Sequence, residues 1–479
     1  MRNTKVLFGI ANISYLLITP ATIVACSFTN TTDTTTPEVI KPNDSIIRAL
    51  EFKTNYLSPN LNLDTSNETS NLTMFDVGQG DSYLIQYQNS NLLKTNNFNQ
   101  IDTNGSYSIL IDAGNFRQES TNNKVHTFNY AQKLHPTLNK TFINDKIDLF
   151  VMSHADADHL GAMDQIMSEF SHTNSQVLVS FDDNVTTATF RNVIKAIYTN
   201  EIDIITNRPE ALDQYYDFIK LQTLSTNINT SRNAKLMQDE LDILLNKIKT
   251  KTILYQEISP KSDLITFSDD SFLNFIAPSK DYSINSLTGQ AELGKEANEI
   301  SFNLFYSINN FRALFTADSY GITNDDTLSI LKTNPRYLKN NLIKLDLLQI
   351  NHHGSTTNRS NEANYLQELI DLDTILWIST NQHKVFGGVP TLRESFFTNL
   401  GNKSGLEKVY ISQLLGDVSV LIKEKGTYEV ILISREIQIN QTLILNLNIN
   451  QIINTEDSKN KFIELIKNIT FHKYVLFPK

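Results

Sequence analysis

Residues Ile147–Gly161 read IDLFVMSHADADHLG, and the fold is decided in this stretch. Ile147, Leu149, Phe150, Val151 and Met152 form an apolar run with the length and composition of a buried strand. The run breaks at Ser153 into His154-Ala155-Asp156-Ala157-Asp158-His159, four metal-ligand side chains within six residues. Leu160–Met167 then reads as a helix, with Asp158 in the first turn, where the macrodipole favours a carboxylate. Side chains two apart in an extended segment point the same way. His154, Asp156 and Asp158 would therefore line one side of a site, and His159 would turn in with the helix. A lone histidine in a polar turn needs no functional reading, but this density of ligands at a strand tip points to a metal.

Outward from that stretch, other strands end in polar turns. Leu72–Val77 and Ser82–Gln88 form a hairpin by pattern around Gly78-Gln79-Gly80-Asp81. Ser108–Ile111 is a strand ending at Asp112-Ala113-Gly114, and Gln176–Ser180 is another. Residues 186–250 look mostly helical; Leu236, Leu241, Leu244, Leu245 and Ile248 follow a 3.6-residue period, and the region reads as an insertion. His172, just before it, reads as a surface residue. Further on, Ile300–Tyr306 and Phe311–Ala317 flank a tight turn at Asn309-Asn310 and lead to Asp318. Leu345–Ile350 opens into Asn351-His352-His353-Gly354-Ser355, and paired histidines at a strand tip are a more specific signal than a single aspartate. Strands follow at Thr374–Ser379, Val418–Ile422 and Thr427–Ile433. The fold class expected is α/β.

With 479 residues, 40% hydrophobic, the chain can bury a large core. Its net charge of −11 argues against a general nucleic-acid scaffold, which needs a basic face, but not against a nuclease in which metals hold the phosphate. At the N-terminus, Arg2 and Lys5 precede an apolar run to Ile18, and the segment closes Ile23-Val24-Ala25-Cys26, the pattern of a cleaved signal. Cys26 is the sole cysteine, so no disulfide forms within the chain. The Thr/Asn/Pro-rich residues after it read as a flexible stalk, 27–70.

Ser153–Gly161, SHADADHLG, resembles the H-x-[HD]-x-D-H signature of the metallo-β-lactamase superfamily. The form with aspartate in the middle is similar to that of the ComEC nuclease domain. DVGQGD (76–81), LIDAG (110–114), ANEIS (297–301) leading to TADS (316–319), and NHHGS (351–355) resemble further pieces of the same domain. The resemblance implies an αββα sandwich over 71–434, carrying the insertion 186–250 and a C-terminal extension 435–479 of unassigned role. It implies two divalent ions, Zn²⁺ or Mn²⁺. His154, Asp156 and Asp318 would serve one, and Asp158, His159, Asp318 and His353 the other, with Asp318 as the bridge. Asp158 would also orient water, and His352 would face the substrate phosphate. Asp76, Gln79, Asp81, Asp112, Asn298, Ser301 and Ser355 would form the substrate-side loops, Asp112 orienting the metal loop. The chain departs from the pattern at Val389, where such domains carry a histidine; His383 is offset from it. IVAC resembles a bacterial lipobox, implying lipid on the Cys26 thiol and a protein anchored on the outer face of the cell membrane. The function expected is a metal-dependent phosphodiesterase or nuclease using a metal-bridging hydroxide. The alternatives are a phosphorylcholine-esterase-like enzyme or a non-catalytic surface-binding lipoprotein. No protein partner is implied.

Overall fold

Period-two alternation sorts the strand side chains onto two faces, and each face finds a different partner. The computed structural model describes residues 68–75, 77, 80–89, 105–114, 146–181, 187–208, 212–213, 215–217, 228–260, 263–268, 270–278, 298–379, 394–400, 408–412, 417–423 and 427–433. The expectations for Cys26, the stalk as far as residue 67, Asp76, Gln79, His383, Val389 and 435–479 lie outside these residues; Thr69 and Ser70, expected in the stalk, belong instead to the first strand, where they are buried.

The first sheet takes β1 (Thr69–Met74), β2 (Tyr83–Gln88), β3 (Ser106–Ile111), β4 (Leu149–Met152), β5 (Gln176–Val179), β6 (Asp203–Thr206) and β7 (Tyr255–Glu257). The second takes β8 (Asp263–Thr266), β9 (Phe272–Ala277), β10 (Asn303–Ile308) and β11 (Phe311–Phe315). A separate ribbon, β12 (Leu338–Lys339) with β13 (Leu342–Ile343), interrupts it before β14 (Leu347–Gln349), β15 (Ile375–Ile378) and β16 (Val409–Ile411). The chain then returns to the first sheet with β17 (Asp417–Ile422) and β18 (Tyr428–Ile433). The orders are β18-β17-β1-β2-β3-β4-β5-β6-β7 and β16-β15-β14-β11-β10-β9-β8. Both sheets are mixed: β3 to β7 pair in parallel, as do β11, β14, β15 and β16, and the remaining pairs are antiparallel.

Leu72, Ile85, Ile109, Val151, Leu178 and Ile205 point inward and join one core with Leu304, Phe315, Leu348 and Trp377 of the second sheet. Leu84, Leu110, Phe150, Val177 and Ile204 point the other way. They pack on Met163, Ile166 and Phe170 of the helix Met163–Phe170 and on Phe190 and Val193 of the helix Ala188–Thr199. The helix Gly321–Thr333 packs against β9, with Ala363–Leu369 beside it. This is a mixed α/β architecture with two facing sheets. Tyr83 of the first sheet stacks on Trp377 of the second at 5.9 Å and 8°, and the Tyr306 hydroxyl donates across the interface to Ser70 Oγ at 2.9 Å. Ser70 Oγ keeps its own bond to the Gln86 carbonyl, 2.8 Å, so Tyr306→Phe strands no donor. The expected cost is about 1 kcal/mol of unfolding free energy by urea titration.

Two expectations change. The helix after the metal loop is broken into Ala157–Leu160 and Met163–Phe170, because Gly161 and Ala162 form a turn between them. The stretch 186–250 is largely helical, with a helix at Ile228–Lys249, but it is no insertion. It contains β6, and its helices connect β5, β6 and β7 of the main sheet. Asp203-Ile-Ile-Thr is too short an apolar run to separate strand from helix by periodicity. Among the described residues no helix is long and apolar enough to cross a membrane.

Candidate metal centre

In parallel sheets, sites gather outside the carboxyl ends of the strands. Here β3 runs into Asp112, β4 into Ser153-His154, β11 into Asp318, β14 into His352-His353 and β15 into Ser379. Three of these connections bend through left-handed backbone at four non-glycine residues: Asp112 (φ 55°), Ala317 (φ 45°), His352 (φ 49°) and His353 (φ 53°). Such conformations are unfavourable for side chains with a Cβ, and their clustering on one rim marks a functional site.

The histidines are held by a common device. Ser153 Oγ donates to Asp112 Oδ2 at 2.6 Å, so toward His154 Nδ1, 3.0 Å away, it can only accept. His159 Nδ1 donates to the same Asp112 oxygen at 2.8 Å, and His353 Nδ1 to the Ser379 carbonyl at 2.8 Å. Each Nδ1–H is thereby spoken for, and each Nε2 faces inward. Partners of this kind orient metal-ligating imidazoles. His154 Nε2, His159 Nε2, His353 Nε2 and Asp318 Oδ1 are buried and have no hydrogen-bond partner. Asp318 Oδ1 lies 3.4 Å from His159 Nε2 and 3.5 Å from His353 Nε2, too far and too crowded for good hydrogen bonds. Buried polar atoms are normally paired; inward-facing nitrogen and oxygen donors left over at one point are what a cation requires. Two groups fit, His154–His159–Asp318 and Asp158–His159–His353, and two more bring in Asp81: with Asp318 and His353, and with Asp112 and His159. These buried groups can hold a metal ion.

Asp158 Oδ2 stands 3.7 Å from His353 Nε2. Asp156, 30% exposed, is placed 3.7 Å from His154 Nε2 and belongs to none of these groups. His352 is one-fifth exposed, its Nε2 3.8 Å from Asp318 Oδ2. Asn298 Nδ2 bonds Asp318 Oδ2 at 3.3 Å and lies 3.4 Å from His352 Nε2. Ser301 is fully buried, its Oγ without a partner, while Ser355 bonds Thr357 Oγ1 at 2.8 Å. His172 is partly exposed and bonds Asp148 at 2.9 Å.

The electrostatics follow from burial of opposite charges. Burial opposes charging His159, but the carboxylates of Asp318 and Asp112 overcome it and hold its pKa well above the ordinary value. Burial is likewise outweighed at His353, which Asp318, Asp158 and Asp81 carry up to about 9. Asp318 would rise on burial alone; His353, His159 and His352 hold it well below the carboxylate range. Burial pushes Asp81 up to about 6 against the pull of His353 and His159. Without metal, protons on His159 and His353 therefore balance the acids at neutral pH, and a bound cation must displace them. Calorimetric Zn²⁺ titration in buffers of different ionisation enthalpy should show more than one proton released at pH 7. The affinity should fall about tenfold or more per pH unit on acidification. Binding without proton release would contradict this charge state.

Sequence reasoning missed Gln349, Tyr83, Ser153 and Ser379, which position the ligands. The one signal for Gln349 is a polar residue at the end of an apolar strand; for Tyr83 it is the two-residue spacing from Asp81. The fold and site thus define a class, an α/β protein with a buried histidine–aspartate centre on its strand tips. In comparison with known proteins, the chain matches no family model and no curated sequence.

Proposed function

We propose that this chain is a metal-dependent hydrolase of the metallo-β-lactamase kind, acting on phosphodiesters and tethered to the cell membrane through lipid on Cys26. The observation that carries it is the convergence of His154 Nε2, His159 Nε2, His353 Nε2 and Asp318 Oδ1 as buried, unpartnered atoms. The two facing mixed sheets support an αββα reading, and the similarity of SHADADHLG and NHHGS to ComEC-type motifs supports a phosphodiester substrate.

Asp158, His159 and His353 would hold one ion, and His154 and Asp318 would serve a second, because His159, with Nδ1 bonded to Asp112, has a single nitrogen to give. Imidazole and carboxylate donors without thiolate fit Zn²⁺ or Mn²⁺. When bound, such ions supply Lewis acidity and lower the pKa of water. His352 is suited to move a proton. Ser360 Oγ donates to the Thr357 carbonyl at 2.7 Å and so accepts from His352 Nδ1 at 3.1 Å, leaving the Nε2 lone pair toward the site. Burial lowers the pKa of His352 against the pull of Asp318, so it is neutral at pH 7 and can take up a proton at Nε2. Asn298 fixes Asp318 and His352 relative to each other.

The test assays purified full-length protein on single- and double-stranded DNA, RNA and p-nitrophenyl phosphorylcholine, with Mn²⁺, Zn²⁺ or EDTA. Nucleic-acid hydrolysis that EDTA abolishes is the expected result. Turnover of the choline ester alone would replace the nucleic-acid substrate, and absence of turnover with every metal would overturn the enzyme reading. Metabolic palmitate labelling, lost in Cys26→Ser, is expected for the anchor.

A further inference from the structure

We propose that Asp81 is a positioning residue of the metal centre: clamped between Tyr83 and Gln349, it ties together the strand tips of the two sheets and stands as a counter-charge behind the His353 imidazole, whose Nδ1–H the Ser379 carbonyl takes. The inference rests on the metal-binding reading of the centre. Asp81 belongs to the β1–β2 turn of the first sheet, whereas His353 follows β14 of the second. Its carboxylate is 1% exposed, with Oδ1 accepting from the Tyr83 hydroxyl at 3.0 Å and Oδ2 from Gln349 Nε2 at 2.9 Å. Oδ1 lies 3.6 Å from His353 Nδ1, while Asp158 and Asp318 approach Nε2. The Ser379 carbonyl takes the Nδ1–H and sets the tautomer; the carboxylate stands behind it as a counter-charge and leaves Nε2 to the cluster.

Gln349 extends the clamp. Its Oε1 accepts from the backbone N–H groups of Thr316 and Ala317, both at 2.6 Å, immediately before Asp318. One amide side chain therefore sets the first sheet's Asp81 against the second sheet's Asp318 and His353. A carboxylate buried this deeply costs stability, and burial pushes its pKa upward. An asparagine would fill the same space, but with its oxygen accepting from Gln349 its amide meets the Tyr83 oxygen, and the buried Tyr83 O–H loses its acceptor. The variant therefore gives up one buried hydrogen bond together with the charge.

Asp81→Asn and Tyr306→Phe together separate a positioning role from a structural one. Full-length wild type and variants are titrated calorimetrically with Zn²⁺, and the metal-free proteins are melted while following emission of Trp377, the only tryptophan, which stacks on Tyr83. The expected result is Zn²⁺ affinity weakened about 10–100-fold in a folded Asp81→Asn variant, while Tyr306→Phe, which loses stability away from the centre, binds Zn²⁺ as the wild type does. Tyr83→Phe keeps the ring stack and releases one Asp81 oxygen; it should weaken Zn²⁺ in the same direction by a smaller factor. Affinity unchanged within about threefold in Asp81→Asn would overturn the proposal, because outer-shell partners carry more than that. So would an equal loss of affinity in Tyr306→Phe, since that is the mark of general loosening and of a purely structural role. Wild-type protein that takes up no Zn²⁺ would overturn the metal reading as well.

Discussion

His353→Ala is expected to abolish metal-dependent hydrolysis, lowering kcat/KM on the order of 10³-fold or more, about 4 kcal/mol of transition-state stabilisation. The reason is local. His353 Nε2 is one of the buried, unpartnered atoms, with Asp158 and Asp318 within 3.7 Å of it and Asp81 3.6 Å from Nδ1 of the same ring. Alanine removes a ligand and also the positive charge that these acids share in the metal-free protein, so unfolding free energy should fall too, by about 3 kcal/mol. Far-UV circular dichroism establishes that the variant is folded before its rate is read. Asp158→Asn, at the more open edge of the cluster, gives the same test with less damage. Rates within tenfold of wild type in both folded variants would remove this centre from the chemistry.

The second large effect is steric. Gly80 adopts φ +115°, and a Cβ built there would stand 1.7 Å from the Asp158 carbonyl oxygen and 2.7 Å from its carbon. That obstacle is backbone at the head of the metal-loop helix, so it cannot rotate aside. The Gly80 carbonyl also accepts from Ser379 Oγ, whose own backbone carbonyl holds His353. Gly80→Ala should therefore cost about 3 kcal/mol or more in denaturant titration and disturb both halves of the centre. Gly114→Ala is the comparison: at φ +64°, with Val77 Cγ2 at 2.4 Å and Val77 Cβ at 2.5 Å from its Cβ, it is strained too but meets no backbone of the metal loop. If Gly80→Ala weakens Zn²⁺ binding no more than Gly114→Ala does, the close approach of the turn to the metal loop is not a constraint on the centre.

Much of this was legible in the chain, and the reason is range. Strands such as Leu149–Met152 declare themselves by apolar content, and His154, Asp158, His159 and His353 by ligand type at strand tips. What stayed hidden depends on distant partners. Gln349 meets Asp81 across 268 residues, and Ser153 meets Asp112 across 41, with no local pattern to announce either contact. Asp81 therefore read as part of a substrate-side loop, whereas it is buried among Tyr83, Gln349 and His353. β6 was lost in a helical stretch because four residues carry too little periodicity to outweigh their neighbours.

Glu68, at the entry to β1, bears on how a tether would be attached. Glu68 accepts the Tyr87 hydroxyl at 2.8 Å and, through its carbonyl, the Asn309 amide at 2.9 Å, both at the rim where β10 turns into β11. From there β1 crosses the sheet toward Asp81, a span of about 20 Å for its six residues. On the proposed tether and hydrolase reading, the stalk would join the domain at the end of β1 remote from Asp81, and a polymer would reach the histidines without passing the point of attachment.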